Sequence, residues 1–298
     1  MLVLVAGASG LIGTELVARL RSAGHGVRTL TRGAPEAPGA HRWDPATGRL
    51  DPEVLSGVDA VVNLAGASLA RLPWTPHHRE RILRSRLDAT ATLTWALART
   101  SLPPRTLLNA SAVGYYGDRP GEELDESSPA GSGFLAEVVE RWEEAARQAP
   151  DGTRVVLLRT GLVVGRGGAL RPLELLTRAG LGARIGAGRQ HWPWISLADE
   201  ARAIVHLLGS PLAGPVGLEG PTPATAAEVT AALARTLRRP HALAVPAAVI
   251  RTALGEAGRE LLLADQRAVP RRLLDDGFVF THRTVAEAIR ASWGAGRA

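Results

Sequence analysis

A strand-like apolar run, Leu2-Val3-Leu4-Val5-Ala6, passes straight into Gly7-Ala8-Ser9-Gly10-Leu11-Ile12-Gly13 and then into a helical pattern through Glu15, Leu16, Val17 and Leu20. Few other features constrain a fold as tightly. Strand, glycine turn and helix together turn a weak glycine motif into a dinucleotide-binding expectation. Gly7 permits the tight turn, Gly10 lets the backbone approach a pyrophosphate, and Gly13 lets the helix pack close to the strand. The helix N-terminus beyond them offers free N–H groups and a positive dipole end to phosphate. The turn predicts cofactor contacts from Gly7, Ser9, Gly10, Leu11, Ile12 and Gly13. The plainer reading is a strand-to-helix turn with no ligand.

Strand-like and helix-like segments alternate after the turn. Val27 to Thr31, Ala60 to Leu64, Arg105 to Ala110 and Val155 to Leu158 read as strands. Pro76 to Arg99 and Gly133 to Gln148 read as helices. Such alternation predicts an α/β fold, a doubly wound parallel sheet with helices on both faces. Ligands of these sheets bind at the carboxyl ends of the strands. That edge would carry Arg32, Leu64-Ala65-Gly66, Ser111 to Gly117 and Thr160 to Gly165. Beyond Gly165 the pattern loosens into a smaller C-terminal α/β lobe. It includes helices near 224–238 and 246–254, a small strand at Phe278-Val279-Phe280 and a closing helix from Thr284 to Trp293. The expected division is a sheet domain over residues 1–220 and a small domain over 221–298, with about 166–194 contributing to the substrate lobe.

Composition narrows the chemistry. All 35 strongly basic residues are arginine, so Schiff-base and lysine-assisted proton transfer are excluded within this chain. The absence of cysteine excludes disulfides, thiol nucleophiles and cysteine metal sites. The net charge of +6 is spread among interspersed acids without a basic block, which argues against a nucleic-acid partner. No apolar stretch suits a membrane span and no signal peptide is evident, so a cytoplasmic protein is expected. His77, His78 and Glu80 do not form a convincing metal set, because adjacent histidines point to different faces of a helix.

Arg32 ends the second strand, where an acidic residue would bind the ribose 2′-hydroxyl of NAD. An arginine there suits the 2′-phosphate of NADP(H). Ser111, Tyr115 and Tyr116 follow another strand and are the candidates to bind or protonate a carbonyl oxygen. Trp192 and Trp194 flank a proline before a helix and are candidates to line a substrate pocket.

These segments resemble a known family, the atypical extended short-chain dehydrogenase/reductases called epimerase family proteins. The matching motifs run nearly the whole chain. They include Leu64-Ala65-Gly66, Ser85-Arg86, Ser111-Ala112-x-Gly114-Tyr115-Tyr116-Gly117, Phe134-Leu135-Ala136 and Arg159-x-Gly161-x-Val163-x-Gly165. Trp194-Ile195, Gln266-Arg267-x-x-Pro270 and Gly277-Phe278-x-Phe280 complete the series. The resemblance implies a Rossmann core, a small C-terminal domain, an NADP(H) cofactor held in part by Arg159 and Gly161, and Phe134 among the substrate-lining residues. Active sugar epimerases carry a serine or threonine four residues before the tyrosine of a Tyr-Gly pair, and a Tyr-x-x-x-Lys pair. Here Ala112, Phe134 and Val138 stand in those places. The expected function is an NADP(H)-dependent oxidoreductase or epimerase-like enzyme on a small molecule, anionic or sugar-like, with homodimer formation compatible. The alternative is a catalytically silent NADP(H)-binding sensor.

Overall fold

The computed structural model describes residues 1–294. Its first half runs β1 (Leu2–Ala6), α1 (Leu11–Ser22), β2 (Gly26–Thr31), β3 (Ala40–Arg42), β4 (Ala60–Asn63), α2 (Pro76–Leu97), β5 (Thr106–Ala112), β6 (Glu123–Leu124) and α3 (Phe134–Arg147). Then come β7 (Arg154–Thr160), β8 (Leu162–Val164), α4 (Arg171–Arg178), β9 (Ala183–Ile185), β10 (Trp194–Ser196), α5 (Leu197–Gly209) and β11 (Gly214–Leu218). The last part holds α6 (Ala226–Leu237), β12 (Leu243–Val245), α7 (Ala247–Gly258), β13 (Arg267–Ala268), α8 (Arg271–Asp275) and α9 (Val285–Gly294).

Seven strands form one parallel sheet in the order β3-β2-β1-β4-β5-β7-β11. The chain order reverses between β1 and β4, which sets the ligand crevice at their carboxyl ends. The central strands are apolar on both faces, as a covered parallel sheet requires. Val3 and Val5 of β1 face a core shared with Leu16 and Leu20 of α1 and Ile204 and Leu207 of α5. Their neighbours Leu4 and Ala6 face the opposite core, which contains Ala89, Leu93 and Leu97 of α2. The period-two alternation of one strand thus feeds both layers.

The smaller lobe draws its core from two stretches of chain. Val164, Leu170, Ile185, Trp192 and Trp194 pack with Val229, Leu233, Ile250, Ile289 and Trp293. The chain also returns to the sheet: Leu273, Phe278 and Phe280 join the core of α1 and α5. Phe278-Val279-Phe280 is not the strand its alternation suggests. It is an irregular segment whose two rings meet edge to face at 4.9 Å. The alternation is real, but the rings serve a core already paired on its strands.

The glycines of the first turn divide their work. Gly7 has φ +80°, and a Cβ there would stand 2.7 Å from the Leu64 carbonyl. A Cβ on Gly13 would collide with the Gly7 carbonyl oxygen, whereas one on Gly10 would meet only that oxygen at 3.3 Å. Gly13→Ala is therefore expected to destabilise the protein by about 1–3 kcal/mol, the scale of overpacking, while Gly10→Ala costs little. Urea denaturation of both variants checks this; equal midpoints would refute the division.

Candidate functional site

Helix α1 begins at Gly10, which supplies no side-chain cap, and no acidic residue lies in its first turn. The first N–H groups of a helix have no partner within it. Ser9 and Gly10 are exposed, and Leu11 and Ile12 are half-buried. The result is an open cradle of backbone donors with a positive dipole end, which fits a pyrophosphate. Next to β1, Leu64 N–H donates to Ala6 O at 2.9 Å, continuing the sheet as β4 ends. Ala65 N–H donates to the Asn63 side chain at 3.2 Å. Arg32 follows β2 on the other side of the turn; it is exposed and has no ion pair among the described residues. Gly7 to Gly13, Arg32 and Leu64 to Gly66 therefore lie along one edge.

The residues expected to carry chemistry are placed differently. Ser111 Oγ donates to Glu143 Oε1 at 2.7 Å. Arg159 closes on the same carboxylate with Nε at 2.9 Å and Nη2 at 3.1 Å. Its Nη1 donates to Tyr116 OH at 3.4 Å. The Tyr115 ring centroid lies 3.5 Å from the Arg159 guanidinium carbon. Arg159 is 2%, Glu143 and Tyr116 each 1% exposed. Burial pushes the Tyr116 hydroxyl well above the ordinary phenol range, and the nearby Glu219 adds to the shift. This is an internal charge network joining β5, β7 and α3. The hydroxyls of Ser111 and Tyr116 are engaged within this network, and Arg159 lies near the carboxyl end of β7. Tyr115 is half-buried, and its hydroxyl makes no hydrogen bond among the described residues.

Packing also places Gly161, Trp192, Trp194 and Phe134. Gly161 is a contact between lobes: a Cβ there would stand 2.6 Å from the Pro193 carbonyl oxygen. Trp192 donates to Leu262 O at 3.2 Å and Trp194 to Thr222 O at 2.9 Å. Both indoles are buried in the core of the small lobe. Phe134 begins α3, edge to face with Trp74 at 5.5 Å and with the Arg79 guanidinium 4.3 Å from its centroid. With Val138 it borders a groove of about 260 Å³ between α2 and α3. His77, His78 and Glu80 lie in the first turns of α2, and among the described residues no metal-holding group of three side chains assembles.

Sequence reading missed three groups. Glu143 is one of several glutamates on α3, and only the depth of its position separates it. Glu260, in the π-helical turn after α7, accepts the N–H groups of Phe134 and Leu135 at 2.8 and 2.7 Å. It caps α3 from the small lobe. The third group is acidic: Glu126, Glu200 and Glu219 are buried, and one oxygen of each has no hydrogen-bond partner. Burial pushes Glu200 up to about 8, against a single hydrogen bond from Thr160 Oγ1 at 2.9 Å.

Parallel sheet, switch point and open glycine turn together define a Rossmann-fold protein. The model of the NAD dependent epimerase/dehydratase family matches residues 3–218, and a domain of unknown function matches 245–292. The chain belongs to the NAD dependent epimerase/dehydratase family. It is 46% identical over 290 residues to an epimerase family protein of Mycobacterium bovis, covering 96% of each chain. The crystal structure of human epimerase family protein SDR39U1 with NADPH superposes with a TM-score of 0.90 at 34% identity, over 99% of this chain and 100% of that one. A nucleoside-diphosphate sugar epimerase from Corynebacterium glutamicum gives a TM-score of 0.81 at 32% identity, over 99% of this chain and 58% of that one. No helix among the described residues is long and apolar enough to cross a membrane.

The acidic group yields a pH signature. The Glu200 carboxyl takes up its proton at about 8 in the folded chain, against 4.5 ordinarily. The folded state therefore binds more protons between those values, and stability falls as pH rises through the window. Glu200→Gln should leave the urea midpoint nearly unchanged at pH 4 and raise it at pH 8. A variant whose gain is the same at both pH values would refute this.

Proposed function

We propose that this chain binds NADP(H) and works as an oxidoreductase or epimerase-like enzyme on a small anionic or sugar-like molecule, in the cytoplasm. One observation carries the reading: the uncapped N-terminus of α1, opened by Gly10, lies next to the end of β2, where Arg32 is exposed and has no ion pair among the described residues. The backbone N–H groups of the turn would hold the pyrophosphate. The Arg32 fork would take the 2′-phosphate, with no carboxylate paired to it among the described residues. Support also comes from NADPH in the human relative's structure. Held by the N–H groups of the turn and by Arg32, NADP(H) would supply or accept a hydride.

Proton transfer must take another route than in sugar epimerases, since Phe134 and Val138 replace the tyrosine and lysine. Tyr115 is the candidate proton donor of the three hydroxyls, because Ser111 and Tyr116 are committed within the fold. Those same commitments favour a second reading, a catalytically silent NADP(H)-binding sensor.

Arg32→Ala should weaken NADPH binding by about 1.5–3 kcal/mol, the worth of a hydrogen bond to a charged group, and leave NADH binding unchanged. Calorimetric titration decides, and undiminished NADPH affinity removes the assignment. A screen of carbonyl compounds for NADPH oxidation then tests the chemistry. Tyr115→Phe should lower turnover about 10²-fold, as loss of a general acid does. Wild-type turnover in that variant clears Tyr115 of the role. Tight NADPH binding with no turnover across the screen favours the sensor.

A further inference from the structure

Three helices of the small lobe enclose a groove of about 710 Å³. It is lined by the last turns of α4 and α6, by α9 and by the loop that follows β8. Five arginines converge on it. Arg166 comes from the loop, Arg178 from α4, Arg235 and Arg238 from the end of α6, and Arg290 from α9. All five are exposed. None belongs to the glycine turn, to the end of β2 or to the loop after β4, so the function proposed above makes no use of them.

Elsewhere on the helices an arginine often has an acid one turn away: Arg19 pairs with Glu15, Arg84 with Glu80 and Arg147 with Glu143. In the groove only Arg178 is so paired, with Glu174 at 2.9 Å. Arg166, Arg235, Arg238 and Arg290 have no ion pair among the described residues. Glu287, the acid of α9, accepts instead from the backbone N–H groups of Arg283 and Thr284. The helix ends themselves are negative, by about half an elementary charge each. Three such ends and Glu174 together neutralise only part of five guanidiniums. The remaining like charges repel one another across a concave surface, and an anion placed among them relieves that repulsion.

Two details show the groove as built. Arg166 Nε donates to Ser292 O at 2.8 Å, which ties the loop to α9 and leaves both terminal nitrogens without a hydrogen bond among the described residues. Arg238, the C-cap of α6, has φ +54° and is the one non-glycine residue with positive φ among the described residues. Glycine is the usual residue in that conformation, so an arginine there is held against backbone strain. We propose that this groove binds a compact polyanion carrying three or more phosphate or carboxylate groups. Guanidinium forks from four chain segments suit either group bidentately. The volume is that of a small-molecule site, and Ala232 and Leu237 add apolar contact. The competing view is that the arginines only neutralise helix ends. It accounts for Arg178, Arg235 and Arg238, but not for Arg166 and Arg290, which lie outside the last turns.

The test uses the full chain saturated with NADPH, so that the glycine turn is closed to the probe. Sodium tripolyphosphate and citrate are titrated calorimetrically into wild type, R235Q/R290Q and the control R21Q/R49Q, whose exposed arginines lie outside the groove. Thermal denaturation checks folding. R235Q/R290Q is expected to lose tenfold or more in affinity for at least one probe, while the control binds as wild type does. Loss for tripolyphosphate identifies phosphate as the group recognised, and loss for citrate identifies carboxylate. A folded R235Q/R290Q that matches wild type with both probes overturns the proposal. So does an equal loss in the control, which would make the effect one of net charge, or a wild type that binds neither probe.

Should R235Q/R290Q fail to fold, R238G decides. It gives the cap the residue its backbone favours and removes one guanidinium, so a fivefold loss for the same probe is expected. Unchanged binding overturns the proposal. NADPH affinity should be the same in wild type and R235Q/R290Q. A fall there assigns these arginines to the dinucleotide and overturns the separate site. A wild type that binds no NADPH defeats the dinucleotide reading by itself. The same titrations without NADPH then still judge the groove: a loss in R235Q/R290Q beyond that of the control supports it, and equal binding overturns it.

Discussion

The ion pair between Arg159 and Glu143 holds the carboxyl half of the sheet together. It joins β7 to α3, takes Ser111 of β5 as a third partner and carries the two tyrosines on its guanidinium. Two charges taken out of water are costly, and their mutual attraction repays that only with good geometry and further hydrogen bonds. Here the pair is doubly bonded and its spare positions are filled. The arrangement fixes the turn between β5 and β6 in one position. Gln266 from the small lobe fastens the same turn, donating to Val113 O at 3.1 Å and Gly117 O at 2.8 Å. Side chains that look reactive in the sequence are thus the ones that make this region rigid.

Much of the fold was legible because its signals are local. The passage from Leu2 to Gly13 gives strand, turn and helix from residue types alone, and the apolar runs at 60–64 and 155–158 fall on β4 and β7. The carboxyl edge of the sheet was legible for the same reason: Gly7, Gly10, Arg32 and Leu64 need only their strand ends to be placed. The interior network was not legible. Whether Ser111 faces a crevice or a helix depends on its register beside Arg159 and on Glu143, which lies far along the chain. Trp192 and Trp194 were ambiguous because an indole that anchors a core and one that walls a pocket have the same sequence. The short strands β8, β9, β10 and β12 escaped notice, since a three-residue strand has too few positions to show alternation.

The small lobe reaches the sheet domain at several places. Glu260 caps α3, and Glu126 accepts the N–H groups of Gly217 on β11 and Arg272 on α8 at 3.0 and 3.1 Å. Arg202 of α5 donates to Val279 O at 2.9 Å and Thr281 Oγ1 at 2.7 Å. These bonds fasten the small lobe to the sheet domain.

The interleaved core carries a consequence for how such a chain can change. Leu273, Phe278 and Phe280 belong by sequence to the C-terminal portion yet fill the layer between the sheet, α1 and α5. Val164 to Trp194 precede the last sheet strand yet fill the small lobe. The two portions are therefore not exchangeable cassettes. Grafting a foreign C-terminal half would strip side chains from the sheet's own interior as well as replacing the small lobe. Novelty in this architecture is confined to loops and single side chains, and the two halves of the chain must diverge in step.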